Sequence, residues 1–230
     1  YVVTSTTAAT TTSSSLVDDA YAIQDFSLTA SQTVLVIYQA NSVHGASMPQ
    51  AYGMQNAIMV DGTDCAKSWD AGTLANRATR NMVFWIGILG SGSHTIKGRF
   101  ATGIAPQTAT VSNRILLIYI LNGDAFLYID SDTTSTTSGT TFADDPAAQF
   151  TFTPPSSCKA LILYNVANYY SASQNENENG KKIAINVGGT DYAQADKSPY
   201  DDTYPGSVFT AWALSLSAAS TTVKGRYACN

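Results

Sequence analysis

Short runs of β-branched and aromatic residues, separated by Gly, Asn, Asp and Ser, dominate the hydrophobic pattern of this chain. Such runs are typical of β-strands, and no stretch shows the apolar stripe at 3.6-residue spacing that an amphipathic helix requires. Two runs, 34–38 and 115–121, are apolar without alternation, which predicts strands buried on both faces. The predicted strands cover residues 21–29, 33–39, 57–60, 82–89, 94–101, 115–121, 150–153, 160–165, 182–187, 208–216 and 221–228.

The chain contains an internal repeat. The segment Val-Asp-Gly-Thr-Asp-Cys-Ala at Val60 corresponds to Val-Gly-Gly-Thr-Asp-Tyr-Ala at Val187, 127 residues further on. The segment Thr-Ile-Lys-Gly-Arg-Phe-Ala at Thr95 corresponds, at the same offset, to Thr-Val-Lys-Gly-Arg-Tyr-Ala at Thr222. Several matching blocks in one order and at nearly constant spacing indicate a duplicated module.

Blocks nearer the start of each copy agree at an offset of 126 residues, as residues 35–38 do with 161–164. The repeat therefore predicts two tandem domains, residues 1–126, with an extended Thr-rich N-terminal segment, and residues 127–230. Many short strands joined by polar loops predict an all-β fold of antiparallel jelly-roll β-sandwiches. In strand number and length both copies resemble the generic jelly-roll domains of extracellular and virion structural proteins.

The two copies differ at their ends. Copy one closes with the strongly apolar strand 115–121, whereas Asn230 corresponds to Gly103, so residues 104–126 have no counterpart. A sandwich without this strand exposes unpaired backbone groups and an apolar groove. Three explanations stay open: the chain continues beyond Asn230, a neighbouring subunit supplies the strand, or copy two is adapted to fewer strands.

The N-terminal segment is the candidate donor if a neighbouring subunit supplies the strand. Tyr1, Val2 and Val3 are extended and β-prone, although they form a shorter segment than the absent one. They also correspond to Leu127-Tyr-Ile, which is itself predicted to form the first strand of copy two.

Two cysteines occur in the second copy at positions that are not Cys in the first. Cys158 corresponds to Gln32 and Cys229 to Thr102. Their joint appearance predicts a Cys158–Cys229 disulfide and hence an oxidising compartment. The alternative is three unrelated buried thiols. Cys65 corresponds to Tyr192 and is predicted to be a small core residue.

Acidic residues that recur in both copies are the best candidates for a metal site. Carboxylates combined with loop carbonyls bind Ca²⁺, so calcium is a candidate cofactor. The competing interpretation is that the Asp of each Gly-Thr-Asp caps a turn through its own backbone. The six recurring carboxylates belong to Asp18, Asp19, Asp64, Asp144, Asp145 and Asp191.

The Lys-Gly-Arg motif at Lys97 and at Lys224 has two interpretations. It could bind an anionic sugar or an acidic patch on a neighbouring subunit, or its charges could simply alternate outward around a Gly at a bulge. His44 and His94 are not retained between the copies, and Cys and His are too scattered for zinc. We therefore predict no catalytic residues.

Charge and hydropathy limit the partners. Charged residues make up 13% of the chain, the net charge is −5 and there is no basic run, which argues against nucleic acid as a partner. The longest apolar stretch, 115–121, is too short to span a membrane. A surface poor in charge favours assembly, because few charged groups lose their water.

Together these features predict a non-enzymatic, extracellular, self-assembling subunit of a filament or surface assembly, with other copies of itself as partners. A virion structural protein and a carbohydrate-binding or adhesive module are the alternatives. Exposed aromatic rings can stack on glycans or anchor an interface. The candidate tyrosines for either role are Tyr169, Tyr170, Tyr192, Tyr200 and Tyr204.

Overall fold

The computed structural model describes residues 1–45, 53–70, 78–121, 127, 133–169, 181–197 and 206–229. All regular structure in these residues is β-strand, which confirms the predicted all-β class. They contain no helix long and apolar enough to cross a bilayer. The chain divides into two compact units, the first built mainly on Tyr1–Ala125 and the second on Phe126–Thr203 and Val208–Asn230.

Nine strands are described in the first unit, and they form two antiparallel sheets. One sheet has the order β1-β9-β4-β7, with β2 also paired to β9, and the other has the order β3-β8-β5-β6. The strands are β1 (Val2–Ser5), β2 (Ala9–Thr11), β3 (Val17–Leu28), β4 (Gln32–His44), β5 (Met54–Val60), β6 (Thr63–Asp70), β7 (Ala78–Leu89), β8 (Gly92–Thr102) and β9 (Ala109–Leu121).

The core of the first unit lies between these two sheets. Val36 of β4, Ile96 of β8 and Leu116 of β9 are buried in it, as expected for a β-sandwich. The prediction that the last strand is buried on both faces is wrong. On β9 the side chains alternate, and Ile115 and Tyr119 are 40% and 52% exposed, because no described element covers the outer face of this strand.

Six strands are described in the second unit. They form an antiparallel sheet in the order β10-β15-β12-β13 and the separate pair β11-β14. Residues from all six strands enclose a second hydrophobic core. The strands are β10 (Ala143–Phe152), β11 (Cys158–Tyr169), β12 (Lys181–Val187), β13 (Thr190–Lys197), β14 (Gly206–Leu216) and β15 (Thr221–Cys229).

The sheets of the two units correspond strand by strand. The order β10-β15-β12-β13 repeats β3-β8-β5-β6, and β11-β14 repeats β4-β7. Both β3 and β10 contain a bulge at the same place, between Asp18 and Ile23 and between Asp144 and Gln149. In the first unit β9 pairs with β4 along most of its length, whereas no described strand lies beside β11 except β14.

The N-terminal segment lies on its own unit. Val2–Ser5 pairs with β9, where Val2 lies opposite Leu117, and the Tyr1 ammonium donates a hydrogen bond to the carbonyl oxygen of Ile118 at 2.8 Å. Val3 packs against the core beneath. In this chain the segment therefore completes an edge of the first unit, and the structure does not present it as a free donor strand.

Candidate functional site

The repeated Asp and Lys-Gly-Arg residues meet each other on the outside of the bulged strand pair. In the first unit Lys97 Nζ lies 2.6 Å from Oδ2 of Asp18, and Arg99 Nε lies 3.0 Å from its Oδ1. Arg99 Nη1 also donates to Oδ1 of Asp64 at 2.7 Å, and Nη2 donates to the Leu16 carbonyl. One guanidinium thus joins β3, β6 and β8.

The second unit repeats this cluster. Lys224 Nζ lies 2.5 Å from Oδ2 of Asp144, and Arg226 Nε lies 2.9 Å from its Oδ1. Arg226 also donates to Oδ2 of Asp191 at 2.7 Å and to the Phe142 carbonyl. The hydrogen bond to Asp191 raises the pKa of the Arg226 guanidinium. The structural interpretation of Lys-Gly-Arg agrees with this arrangement, because both charges lie on the partly exposed face of their strand, where carboxylates of the same unit pair with them.

These ion pairs bear on the calcium expectation. Five of the six recurring carboxylates contact a Lys or Arg of their own unit, namely those of Asp18, Asp19, Asp64, Asp144 and Asp191. Within the described ranges, no group of three or more His, Cys, Asp or Glu residues could hold a metal ion. Calcium binding stays a prediction without a site among these residues.

A tyrosine ring explains why the motif has Gly at its centre. A Cβ on Gly98 would lie 2.5 Å from a ring carbon of Tyr38, and one on Gly225 would lie 2.4 Å from a ring carbon of Tyr164. The bulge predicted at this Gly lies in the partner strand, opposite it. Only Gly leaves room for the ring to cross the strand and reach the second Asp of the pair in the bulge, Asp19 or Asp145, which we call the inner Asp.

In the first unit that inner Asp is completely buried. Tyr38 Oη donates to Oδ2 of Asp19 at 2.8 Å, and Arg114 Nε of β9 lies 2.5 Å from the same oxygen. The Nε–H does not point along that line, so this is a contact of charges rather than an aligned hydrogen bond. Burial, together with the neighbouring Asp19 charge, raises the pKa of Tyr38 well above its usual value.

Arg114 was not identified from the sequence. Its side chain is 0% exposed, and its Nη atoms donate to the carbonyl oxygens of Thr7 and Val111. The guanidinium also lies 5.2 Å from the ring centre of Tyr21. The sequence signal that could have identified it is a single charged residue directly before the apolar run 115–121.

The corresponding carboxylate of the second unit has different surroundings. Asp145 Oδ2 accepts a hydrogen bond from Tyr164 Oη at 2.9 Å, and Oδ1 accepts from Ser135 Oγ and from the Ala147 N–H. Asp145 is only half-buried, and among the described residues no Lys or Arg forms an ion pair with it.

Among the strands that the structure describes, none pairs with the side of β11 that corresponds to the β9 side of β4. We call this side the open edge of β11, and it is the candidate site. Leu35 of β4 lies opposite Tyr119 of β9 and is 7% exposed. Its counterpart Leu161 on β11 is 59% exposed. An edge strand with unpaired backbone groups and exposed apolar side chains is a template for pairing with another strand.

The predicted disulfide is not formed. Cys158 is exposed and free. It begins β11, a short connection after Phe152 at the end of β10, and Phe152 lies opposite Thr221 at the start of β15. Cys229 lies at the other end of β15, about 26 Å from Thr221 at ~3.3 Å per residue. A disulfide requires Cα atoms within about 7 Å. Cys65 is also exposed, not a core residue.

Of the candidate tyrosines, only Tyr192 has a described side chain. Its ring stacks on Trp212, with centroids 5.7 Å apart and planes at 27°, and Trp212 is exposed. Tyr169 ends β11, but its side chain lies outside the description. Tyr170, Tyr200 and Tyr204 lie outside the described residues.

No protein-family model matches this chain, and no curated protein matches it. Among solved structures, a chain of the infectious bursal disease virus Gx strain is similar at 7% identity and a TM-score of 0.30. That match covers 100% of this chain but only 39% of the viral chain.

Two further similar structures come from bacterial proteins. PNGase F, a glycosylasparaginase from Flavobacterium meningosepticum, has 9% identity and a TM-score of 0.32, with 97% of this chain and 94% of that chain covered. The tandem CBM51 modules of a family 98 glycoside hydrolase from Streptococcus pneumoniae have 12% identity and a TM-score of 0.23, with 99% and 88% covered. Similarities this weak carry no argument about function, including whether the chain is an enzyme.

Proposed function

We propose that this protein is a non-enzymatic structural subunit of an extracellular assembly, in which a neighbouring subunit adds a β-strand at the open edge of β11. The observation that carries this proposal is the difference between the two units. In the first, β4 lies between β7 and β9, whereas the described residues give β11 one neighbour, β14.

Apolar exposure supports strand addition at this edge. Val34 and Val36 on β4 are completely buried, whereas their counterparts Ala160 and Ile162 on β11 are only partly buried. A docked strand would remove this apolar surface from water, at about 25 cal/mol per Å². It would also pair the backbone groups of β11, as in donor-strand complementation.

The charged residues support a structural role rather than a catalytic one. Carboxylates of the same sheet hold the Lys and Arg side chains of both motifs, Lys97, Arg99, Lys224 and Arg226. These contacts join β8 to β3 and β6, and β15 to β10 and β13. With a charged share of 13%, few other charges hinder contact between subunits.

The arrangement of subunits follows from the type of contact. A strand given by one subunit to the next is a heterologous contact, which propagates into a filament or sheet unless the rotation closes a ring or shell. A filament and a virion shell therefore share this chemistry and differ in symmetry, which electron microscopy of the native assembly distinguishes.

The test places a charge on the open edge. Leu161→Lys introduces a cation where the strand would pack, and lysine is a residue that natural edge strands use against pairing. Ile88→Lys is the matched control, because Ile88 is 74% exposed on β7 of the first unit. We expect dissociated native subunits to reassemble with Ile88→Lys and to stay dissociated with Leu161→Lys. Reassembly of the Leu161→Lys protein would refute strand addition at β11.

A carbohydrate-binding or adhesive module is the second candidate, and the Tyr192–Trp212 stack favours it. An exposed indole supported by a tyrosine ring is a platform on which a sugar can stack. Trp212→Ala should then abolish binding on a glycan array, whereas Leu161→Lys should not. A monodisperse monomer with Trp212-dependent glycan binding would replace the structural proposal.

A further inference from the structure

The inner Asp residues of the two bulges, Asp19 and Asp145, differ in whether a described cation pairs with them. Asp19 and Arg114 are both 0% exposed in the first unit, and β9 supplies the arginine. Asp145 has the same tyrosine hydrogen bond as Asp19, and no described residue supplies it with a cation. Its remaining partners, Ser135 and the Ala147 N–H, are neutral.

Strand addition at β11 would change the surroundings of Asp145. A strand in the position of β9 would cover this half-buried carboxylate, as β9 covers Asp19. Taking an ionised carboxylate out of water is strongly unfavourable unless a cation or several hydrogen bonds compensate it. The strand that docks here therefore has to satisfy a charge as well as an apolar surface.

The backbone of β9 shows where that cation comes from. Leu116 lies opposite Tyr38, and the pairing shifts register between Gln39 and Asn41, opposite Asn113. Asn113 has φ +45°, and Arg114 follows it directly. Because of this bulge, Arg114 points across the sandwich to Asp19. Arg114 stands two positions before Leu116, the residue opposite Tyr38.

We infer that the strand completing the second unit carries an arginine, two positions before the residue opposite Tyr164, that pairs with Asp145. This inference rests on the proposed strand addition and names the chemistry of the partner: an antiparallel strand of the β9 type, with alternating apolar side chains and one guanidinium, on a neighbouring subunit. The N-terminal segment does not fit, since residues 1–15 contain no Lys or Arg.

The experiment supplies such a strand within the chain. A second copy of residues 104–121 is attached after Asn230, which corresponds to Gly103, so the graft continues β15 as β9 follows β8. A matched graft replaces its arginine with methionine. Both grafts are made in the native background and with Asp145→Asn, and thermal unfolding of the second unit is measured.

We expect the arginine graft to raise the unfolding midpoint of the second unit by about 5 °C or more, the size of shift expected from about 1 kcal/mol. The methionine graft should give less than half of that shift. With Asp145→Asn the two grafts should become equal. Hydrogen exchange of the β11 amides reports independently whether each graft has docked.

The outcomes separate this inference from the proposed function. If both grafts protect β11 and stabilise the unit equally in the native background, the arginine inference is wrong and strand addition stands. If neither graft protects β11 or changes the midpoint, strand addition at this edge is wrong as well. Protection by the arginine graft alone supports both.

Discussion

The buried pair in the first unit gives a quantitative prediction for Arg114→Met. The substitution keeps the apolar part of the side chain and removes the guanidinium, so the Asp19 carboxyl group, at 0% exposure, loses its cation. Breaking a buried ion pair by removing one partner costs roughly 3–5 kcal/mol. At about 4 °C per kcal/mol for a unit of this size, the unfolding midpoint of the first unit should fall by about 12–20 °C.

Differential scanning calorimetry measures this shift, and hydrogen exchange on β9 peptides assigns the transition to the first unit. The matched control is Lys97→Met, which removes a partly exposed ion pair with Asp18 and should cost less than about 1 kcal/mol. Adding Asp19→Asn to Arg114→Met should recover part of the loss, because the uncompensated charge disappears. If Arg114→Met lowers the midpoint no more than Lys97→Met, the buried pair does not have the role assigned to it.

Three further predictions concern other residues. Gly225→Ala should destabilise the second unit by about 1–3 kcal/mol, since its Cβ would overlap a tyrosine ring; calorimetry against Gly139→Ala, whose Cβ would meet nothing closer than 3.6 Å, checks it. A hydrogen bond from Asp61 raises the pKa of His94. Burial alone would raise the pKa of Asp61, but its hydrogen bonds with His94 and the Thr95 N–H lower this pKa by more. A group with a raised His pKa adds stability below that pKa, and a group with a lowered Asp pKa adds stability above it, so Asp61→Asn should destabilise most between about pH 4 and 6.5, where both charges are present. The loss should be smaller at pH 9, where the His94 charge is gone and only the hydrogen bond from the Thr95 N–H remains; equal effects at both pH values would contradict this. Cys158 should react with iodoacetamide in the native protein without prior reduction, and a mass unchanged by that treatment would show that it is not a free exposed thiol.

The repeat and the strand pattern could be predicted from the sequence because each depends on local order. Alternation and β-branched runs predicted the all-β class, and residues 33–39 lie within β4 as expected. The comparison of copies also showed that the strand at 115–121 has no counterpart in copy two, and the structure places this strand beside β4.

The partners of charged residues could not be predicted in this way, because they depend on which strands become neighbours. Asp18 and Lys97 are far apart in the chain and meet only through the pairing of β3 with β8. The same reason explains the wrong disulfide. Shared appearance in one copy suggested that Cys158 and Cys229 are partners, but strand direction places them at opposite ends of the second unit.

The most direct test of the open edge compares backbone amide exchange in β4 and β11 of the dissociated protein. In a strand paired on one side only, every second N–H faces away from its partner and is not protected by a sheet hydrogen bond. We expect alternate amides along residues 160–165 to exchange rapidly while those along 34–39 stay protected, and we expect the rapid amides to become protected in the native assembly. Equally slow exchange along both strands in the dissociated protein would show that β11 already has a second partner and would contradict the account.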